Sequence, residues 1–396
     1  TGHTFDTSAN CGRITCYLNI YSKVVEVTDL AQNALIKAED GGTGIWLEQN
    51  RGIFTPAAPV STITRVVIYA PVETGNSTAN YTAIGVYSDG IAKASFYKGS
   101  YYDPSNYPKD MASIKVGENG IALLHNYHDR IGMTGANKYF GGSTGIFNIK
   151  ALNADLGKNS ILGYSNSGTI NTDVFSNVQF TSLGDGVIFT YASNNGEINV
   201  NNTYLTDFLI NPGAVPTGQN IMPFTAENGI IKNTVTDGTT GSTGIPGLLM
   251  NTKIGLQSFS KDNTAVILNK SKTASNNYGT ITMTDRPNDG AIALYSKYGN
   301  ILNDTGAKIN LSDKNSAGIY AVEETDAVNN GIININEKSS AGMYGLSEDA
   351  INPTRIGLSG VALTQSANAE INVNNEESAG IYGVNLGTVL GKSYTI

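Results

Sequence analysis

Few residues in this chain combine the type and spacing that chemistry requires. The histidines are His3, His125 and His128. His125 and His128, in Leu124-His125-Asn126-Tyr127-His128-Asp129-Arg130, could both touch a metal. Two imidazoles alone make an incomplete ligand set, and a surface loop accounts for them as well. The string Gly141-Gly142-Ser143-Thr144-Gly145 has the form of a nucleophile elbow. An elbow needs a strand before it and a helix after it, whereas Gly145 opens the strand-like run Ile146-Phe147-Asn148-Ile149. A chance turn in a Gly- and Ser-rich chain fits better. The carboxylates Asp285, Asp289, Glu323, Glu324 and Glu337 fall between strand-like runs. Polysaccharide lyases and hydrolases need carboxylates converging on one strand face, and these read as solvated turn residues. Asp285-Arg286-Pro287-Asn288-Asp289-Gly290 could hold calcium, but the Gly-Gly-x-Gly-x-Asp nonapeptide of calcium β-rolls is absent. The expectation is a non-enzyme with no catalytic residue, no metal and no cofactor.

Cys11 and Cys16 lie five apart with no further Cys or paired His beside them, too few for a zinc site. A short-range disulfide and two free thiols are the readings left. We expect the disulfide, which fits an extracellular or periplasmic protein. Intact mass with and without reductant should then differ by two hydrogens, and two thiols that alkylate freely without reductant would refute the pairing.

The residues best suited to binding are aromatic. Tyr97-Lys98-Gly99-Ser100-Tyr101-Tyr102-Asp103-Pro104-Ser105-Asn106-Tyr107-Pro108-Lys109-Asp110 is dense in Tyr and broken by two prolines, so it reads as a loop. Tyr97, Tyr101, Tyr102, Asn106 and Tyr107 could grip a sugar or a protein by stacking and adaptable hydrogen bonds. They could equally fold back onto the body of the protein. Trp46, the single tryptophan, is either packed or a sugar platform.

The elements that carry these residues are set by an internal repeat. Ile281-Thr282-Met283-Thr284, Ile309-Asn310-Leu311-Ser312, Ile333-Asn334-Ile335-Asn336 and Ile371-Asn372-Val373-Asn374 are each followed by a Gly nine residues after the first Ile. Copies start 28, 24 and then 38 residues apart. A period of this size marks a solenoid whose coils cannot bury their apolar faces singly. The apolar-polar alternation is the period of a half-buried strand. Each coil therefore reads as strand, turn, Gly, strand and a looser return, stacked in parallel as a β-helix. Ile, Val and Leu should form inner columns, with Asn and Ser pointing outward. Tyr320, Tyr344 and Tyr382 should stack coil on coil.

Weaker echoes upstream include Glu197-Ile198-Asn199-Val200, Gly168-Thr169-Ile170-Asn171, Ser160-Ile161-Leu162-Gly163-Tyr164, Gly120-Ile121-Ala122-Leu123 and Gly44-Ile45-Trp46-Leu47. The expected organisation is irregular coils with the Cys pair and the Tyr-rich loop over 1–110, degenerate coils over 111–278, and regular repeats over 279–396. Only Leu30 to Ala38 is considered for a helix. Gly at 45 of 396 residues and 15% charge agree with many short strands and tight turns. A net charge of −8 with scattered Lys and Arg argues against nucleic acid. No apolar run is long enough to span a membrane as a helix. The chain starts at Thr1 with polar residues and no signal peptide, so it reads as a processed or excised piece.

The phrases Gly331-Ile332-Ile333-Asn334-Ile335 and Ser316-Ala317-Gly318-Ile319-Tyr320 resemble the passenger regions of the very large fusobacterial type V autotransporter adhesins. The motif part of the resemblance covers roughly the last third of the chain. It implies a right-handed parallel β-helix on the bacterial surface. That surface would bind a host-cell glycan or protein receptor, or another bacterium, through loops in the N-terminal half. The family tethers its passenger through a C-terminal outer-membrane β-barrel, which this chain does not contain. Readings as a pure spacer or filament, or as a polysaccharide-degrading β-helix, stand beside it.

Overall fold

Alternating apolar residues in short runs leave each strand one face to bury and two backbone edges to pair, and stacking satisfies both. The computed structural model describes residues 25–27, 35–47, 65–68, 71–90, 92–97, 112–127, 139–141, 145–210, 212–236, 247–260, 274–284, 289–323, 325–347 and 361–385. Within them strands dominate, with one α-helix, Tyr204–Ile210, and one 3-10 helix, Thr172–Asn177. Each strand pairs in parallel with the equivalent strand of the next coil, so the fold is a parallel β-helix. Two units form: Thr1–Thr190 with Gly213–Ile221, and Tyr191–Pro212 with Met222–Ile396.

In the first unit, one ladder runs through Thr43–Leu47, Ile84–Asp89, Ile121–Asn126 and Ile161–Asn166. A second runs through Val25–Val27, Arg65–Ile68, Lys93–Phe96 and Phe147–Ile149. The third runs through Ile36–Ala38, Val72–Thr74, Ala112–Val116, Leu152–Leu156 and Val178–Leu183. The helix considered over Leu30 to Ala38 is overturned at its described end: Ile36–Ala38 is a strand. The adjacent coil offers it a backbone partner and an opposite charge, since Lys37 faces Glu73. Down that row follow Lys115 and Asp155, so signs alternate from coil to coil. Residues 30–34 lie outside the described residues.

At one corner of this unit the chain must turn within touching distance of the coil below. Gly75, Gly117, Gly157, Gly184 and Gly218 stack there, each amide donating to a carbonyl of the neighbouring coil at 2.7–3.2 Å. The Asp40, Asn76 and Asp185 side chains accept from the next coil's amides at 2.7–2.8 Å.

The second unit repeats the plan. Its long ladder contains Met222–Glu227, Ile254–Phe259, Ile292–Lys297, Ala317–Val322, Ala341–Ser347 and Ala379–Asn385. An Ile ladder contains Leu248–Met250, Thr280–Met283, Lys308–Leu311, Ile332–Ile335 and Glu370–Val373. Leu248, Ile281, Ile309, Ile333 and Ile371 pair in register, and the first four are fully buried, so the expected inner column is present. The helix Tyr204–Ile210 packs beside Leu248–Met250, the first strand of this ladder, where burial pushes the Tyr204 hydroxyl's pKa up.

The looser return is itself a strand, so a coil has three strands. Glu197–Val200, Ile230–Asn233, Ala274–Asn277, Asn300–Asn303, Asp326–Asn329 and Ala362–Gln365 form this Asn ladder. Its last residues overturn the expectation that Asn faces outward. Asn233, Asn277, Asn303 and Asn329 are all fully buried. Asn233 Nδ2 donates to Asn277 Oδ1, Asn277 to Asn303, Asn303 to Asn329 and Asn329 to Gln365, at 2.8–2.9 Å. Each amide hands a hydrogen bond to the next, which is how a buried amide escapes its desolvation cost. The other Asn row behaves as expected. Thr282, Asn310, Asn334 and Asn372 face outward on the Ile ladder, bonded at 2.8–3.0 Å. Asn303→Ala should cost about 2 kcal/mol or more, because in the core it leaves Asn277 Nδ2 with only the Lys308 carbonyl and Asn329 Oδ1 with only the Gly331 amide. Asn334→Ala, on the half-exposed row, should cost under about 1 kcal/mol. Equal melting temperatures for the two variants would contradict the inward assignment.

Candidate functional site

The outward face of the long ladder gathers the aromatics that sequence reading left unplaced. In the first unit Trp46, Tyr87, Leu124 and Tyr164 occupy one register position on successive strands. Trp46 and Tyr87 lie with centroids 4.2 Å apart and planes tilted by 31°. Trp46 is half-buried. It therefore packs against its neighbour in the row while keeping part of its surface at the solvent boundary. In the second unit the same position carries Tyr295, Tyr320, Tyr344 and Tyr382. These rings stack at 5.9, 4.7 and 5.4 Å. Coil-on-coil stacking of Tyr320, Tyr344 and Tyr382 is as expected, and Tyr295 extends the row. Aromatic pairs of this geometry contribute about 0.5–1.5 kcal/mol each beyond their buried area.

A polar knot closes the first unit's row. Asn126 Nδ2 donates to the Tyr87 hydroxyl at 3.1 Å and to Asp89 Oδ1 at 3.2 Å. Asn166 Nδ2 donates to Asn126 Oδ1 at 2.7 Å. Asp89 is buried beneath this network. On the inner side of the same strands Ser88, His125 and Ser165 follow one another in register and are fully buried. The surface-loop reading of His125 is thus overturned. His125 sits on the strand Ile121–Asn126, its Nε2 lying 3.2 Å from the Gly90 carbonyl. The polar column of Ser and His neighbours lets a ring that can hydrogen-bond replace an aliphatic residue there. No group of His, Cys, Asp and Glu among the described residues could hold a metal.

Glu323 also departs from expectation. It is buried, at φ +59° in the turn between Ala317–Val322 and Asp326–Asn329, rather than solvated. Asp289 is exposed and Glu337 half-buried, as solvated turn residues should be. Asp285 and Glu324 lie outside the described residues. Asp313, which sequence reading missed, is fully buried; its Oδ2 accepts from the Ala291 amide at 3.1 Å and from Ser316 Oγ at 3.3 Å. It serves a turn, and its position is not repeated as Asp before the other Ser-Ala-Gly phrases, where Glu337 and Asn375 stand, so the repeat gave no signal for it.

Of the Tyr-rich segment, the structure describes Tyr97 alone. The Tyr97 amide donates to the Ile68 carbonyl at 3.2 Å, and the Ala112 amide donates to the Tyr97 carbonyl at 3.0 Å. Tyr97 and Ala112 thus meet at one point of the coil, and 98–111 lie outside the described residues. Tyr101, Tyr102, Asn106 and Tyr107 lie outside the described residues, as do Cys11, Cys16, His3 and His128. No helix among the described residues is long and apolar enough to cross a membrane. No protein-family model, curated protein or solved structure matches this chain.

Proposed function

We propose that this chain is a non-catalytic adhesive passenger segment. In this reading it is displayed at a bacterial surface and tethered there through a C-terminal outer-membrane β-barrel outside this chain. It attaches to a glycan or protein receptor of a host cell, or to another bacterium. The observation that carries the reading is the aromatic row held outward on the long ladder of each unit. Solvent-facing aromatic rings beside hydroxyls and amides suit recognition of sugars or protein surfaces. The Gly-Ile-Ile-Asn-Ile and Ser-Ala-Gly-Ile-Tyr phrases supply the secretion context.

The Tyr-rich segment between Tyr97 and Ala112 belongs to the same reading. Tyr101→Ala, Tyr102→Ala and Tyr107→Ala together should weaken attachment to host cells about a hundredfold, at roughly 1 kcal/mol per ring, and leave the melting temperature in place. Unchanged attachment would move the contact to the Trp46 row. A fall in both attachment and melting temperature would make these rings structural.

A spacer role is favoured by a different observation, the unbroken columns of the second unit. Ile309, Ile333 and Ile371 keep register through three coils, as do Asn310, Asn334 and Asn372. Such a stack suits a rigid arm. A glycan array separates the two: signal on any glycan class supports adhesion, and silence together with absent cell attachment leaves the spacer.

A further inference from the structure

We infer that the outward Tyr row of the second unit is the docking line for a linear polysaccharide, lying along the stack with one sugar per coil. The inference rests on the adhesive reading and adds to it a ligand class and a place. Tyr295, Tyr320, Tyr344 and Tyr382 stand on four consecutive strands with their rings stacked. Rings stacked on one another turn their edges and hydroxyls to solvent. Tyr382, 50% exposed, also offers a face.

The strands of Tyr320, Tyr344 and Tyr382 begin with Ala317, Ala341 and Ala379, the first two buried, and that of Tyr295 begins with Ile292. The polar turns that precede the last two strands are joined coil to coil, Lys338 pairing with Glu376 and Ser339 Oγ donating to Glu377 Oε2 at 3.2 Å. The row offers ring edges and hydroxyls, and the turns offer charged and hydroxyl groups, which suit a sugar's apolar ring and its hydroxyl rim.

Spacing selects the occupant. Neighbouring parallel strands lie about 4.8 Å apart. An extended peptide advances about 3.3 Å per residue, so side chains on one side recur about every 6.6 Å, out of step with the coils. A pyranose chain linked through opposite ring carbons advances about one ring length per unit, close to the coil step. Alternate sugars of such a chain are turned over, so every second sugar meets the same groups, and weak contacts combine along the chain.

The test is calorimetric titration of the whole chain with cello- and chito-oligosaccharides of two to six units, run beside attachment of chain-coated beads to cells. Affinity for at least one series should rise about tenfold or more from two units to four, then level off once the four Tyr-bearing coils are filled. Tyr320→Phe with Tyr344→Phe keeps the stack, removes two hydroxyls, and should weaken tetrasaccharide binding about tenfold. Absence of binding by both series, indifference to length, or full affinity in the double Phe variant overturns the docking line. Beads that attach to cells while the oligosaccharides fail leave the adhesive reading standing and this site refuted. Length-dependent binding without attachment upholds the site and removes the adhesive role.

Discussion

Ile333→Asp should lower the stability of the second unit by about 3 kcal/mol or more. Ile333 is fully buried and pairs in register with Ile309 on one side and Ile371 on the other. Its side chain also lies against the inward-facing Gly318, where an added Cβ would sit 3.0 Å from Ile333 Cγ2. An Asp at this position places a carboxylate among aliphatic carbons, between the uncharged register partners Ile309 and Ile371. The same change at Asn334, one residue along and facing outward, should cost far less, because that position is half-exposed and already polar. Melting of the two variants in parallel isolates inward from outward. An Ile333→Asp protein that melts with the parent contradicts the column.

Gly157→Val should be comparably damaging to the first unit, at about 3 kcal/mol. A Cβ at Gly157 would lie 2.6 Å from the Gly117 carbonyl carbon and 2.9 Å from the Glu118 amide nitrogen. Both are backbone atoms of the coil below, so no side chain can swing aside. The Gly157 amide also donates to the Val116 carbonyl at 2.8 Å, and separating the coils would break that bond. Gly213→Ala is the matched control for space: a Cβ there meets nothing within 4 Å, although φ is +65°, so only the local conformational strain remains. Circular dichroism melts in which Gly157→Val is no worse than Gly213→Ala would show that the coils tolerate wider separation at this corner.

The repeat announced the fold because alternation and period both follow from burial. Ile309, Ile333 and Ile371 must point inward if the coils stack, and their spacing already placed them in one column. What stayed hidden was the assignment of segments to ladders. Glu-Ile-Asn-Val occurs at 197–200 and at 370–373. The first copy pairs with Ile230–Asn233 on the Asn ladder, the second with Ile332–Ile335 on the Ile ladder. Local sequence fixes a strand but leaves its neighbour open, because pairing is settled by where the previous coil ended. The inward Asn column was hidden for a related reason. An Asn is costly to bury alone and acceptable only when the next coil supplies its partner, so a single segment always reads it as exposed. A signal was present: Asn277, Asn303 and Asn329 recur 26 residues apart. His125 misled in the same way, since its burial depends on Ser88 and Ser165 in adjacent coils rather than on its own neighbours. Of the proposed binding residues, Trp46 and the Tyr column were legible as aromatics. Their shared outward register was legible only once the ladders were known.

Attachment itself is the most direct measurement of the functional account. Beads coated with residues 1–396 should bind host epithelial cells or partner bacteria saturably, above beads coated with an inert protein of similar charge, and soluble chain should compete the binding away. Trp46→Ala should reduce it, and the double Tyr320→Phe, Tyr344→Phe variant should reduce it while keeping the parent's melting temperature. Coated beads that attach no better than the inert control, to either kind of cell, would contradict the adhesive reading and leave a β-helical arm without a ligand of its own.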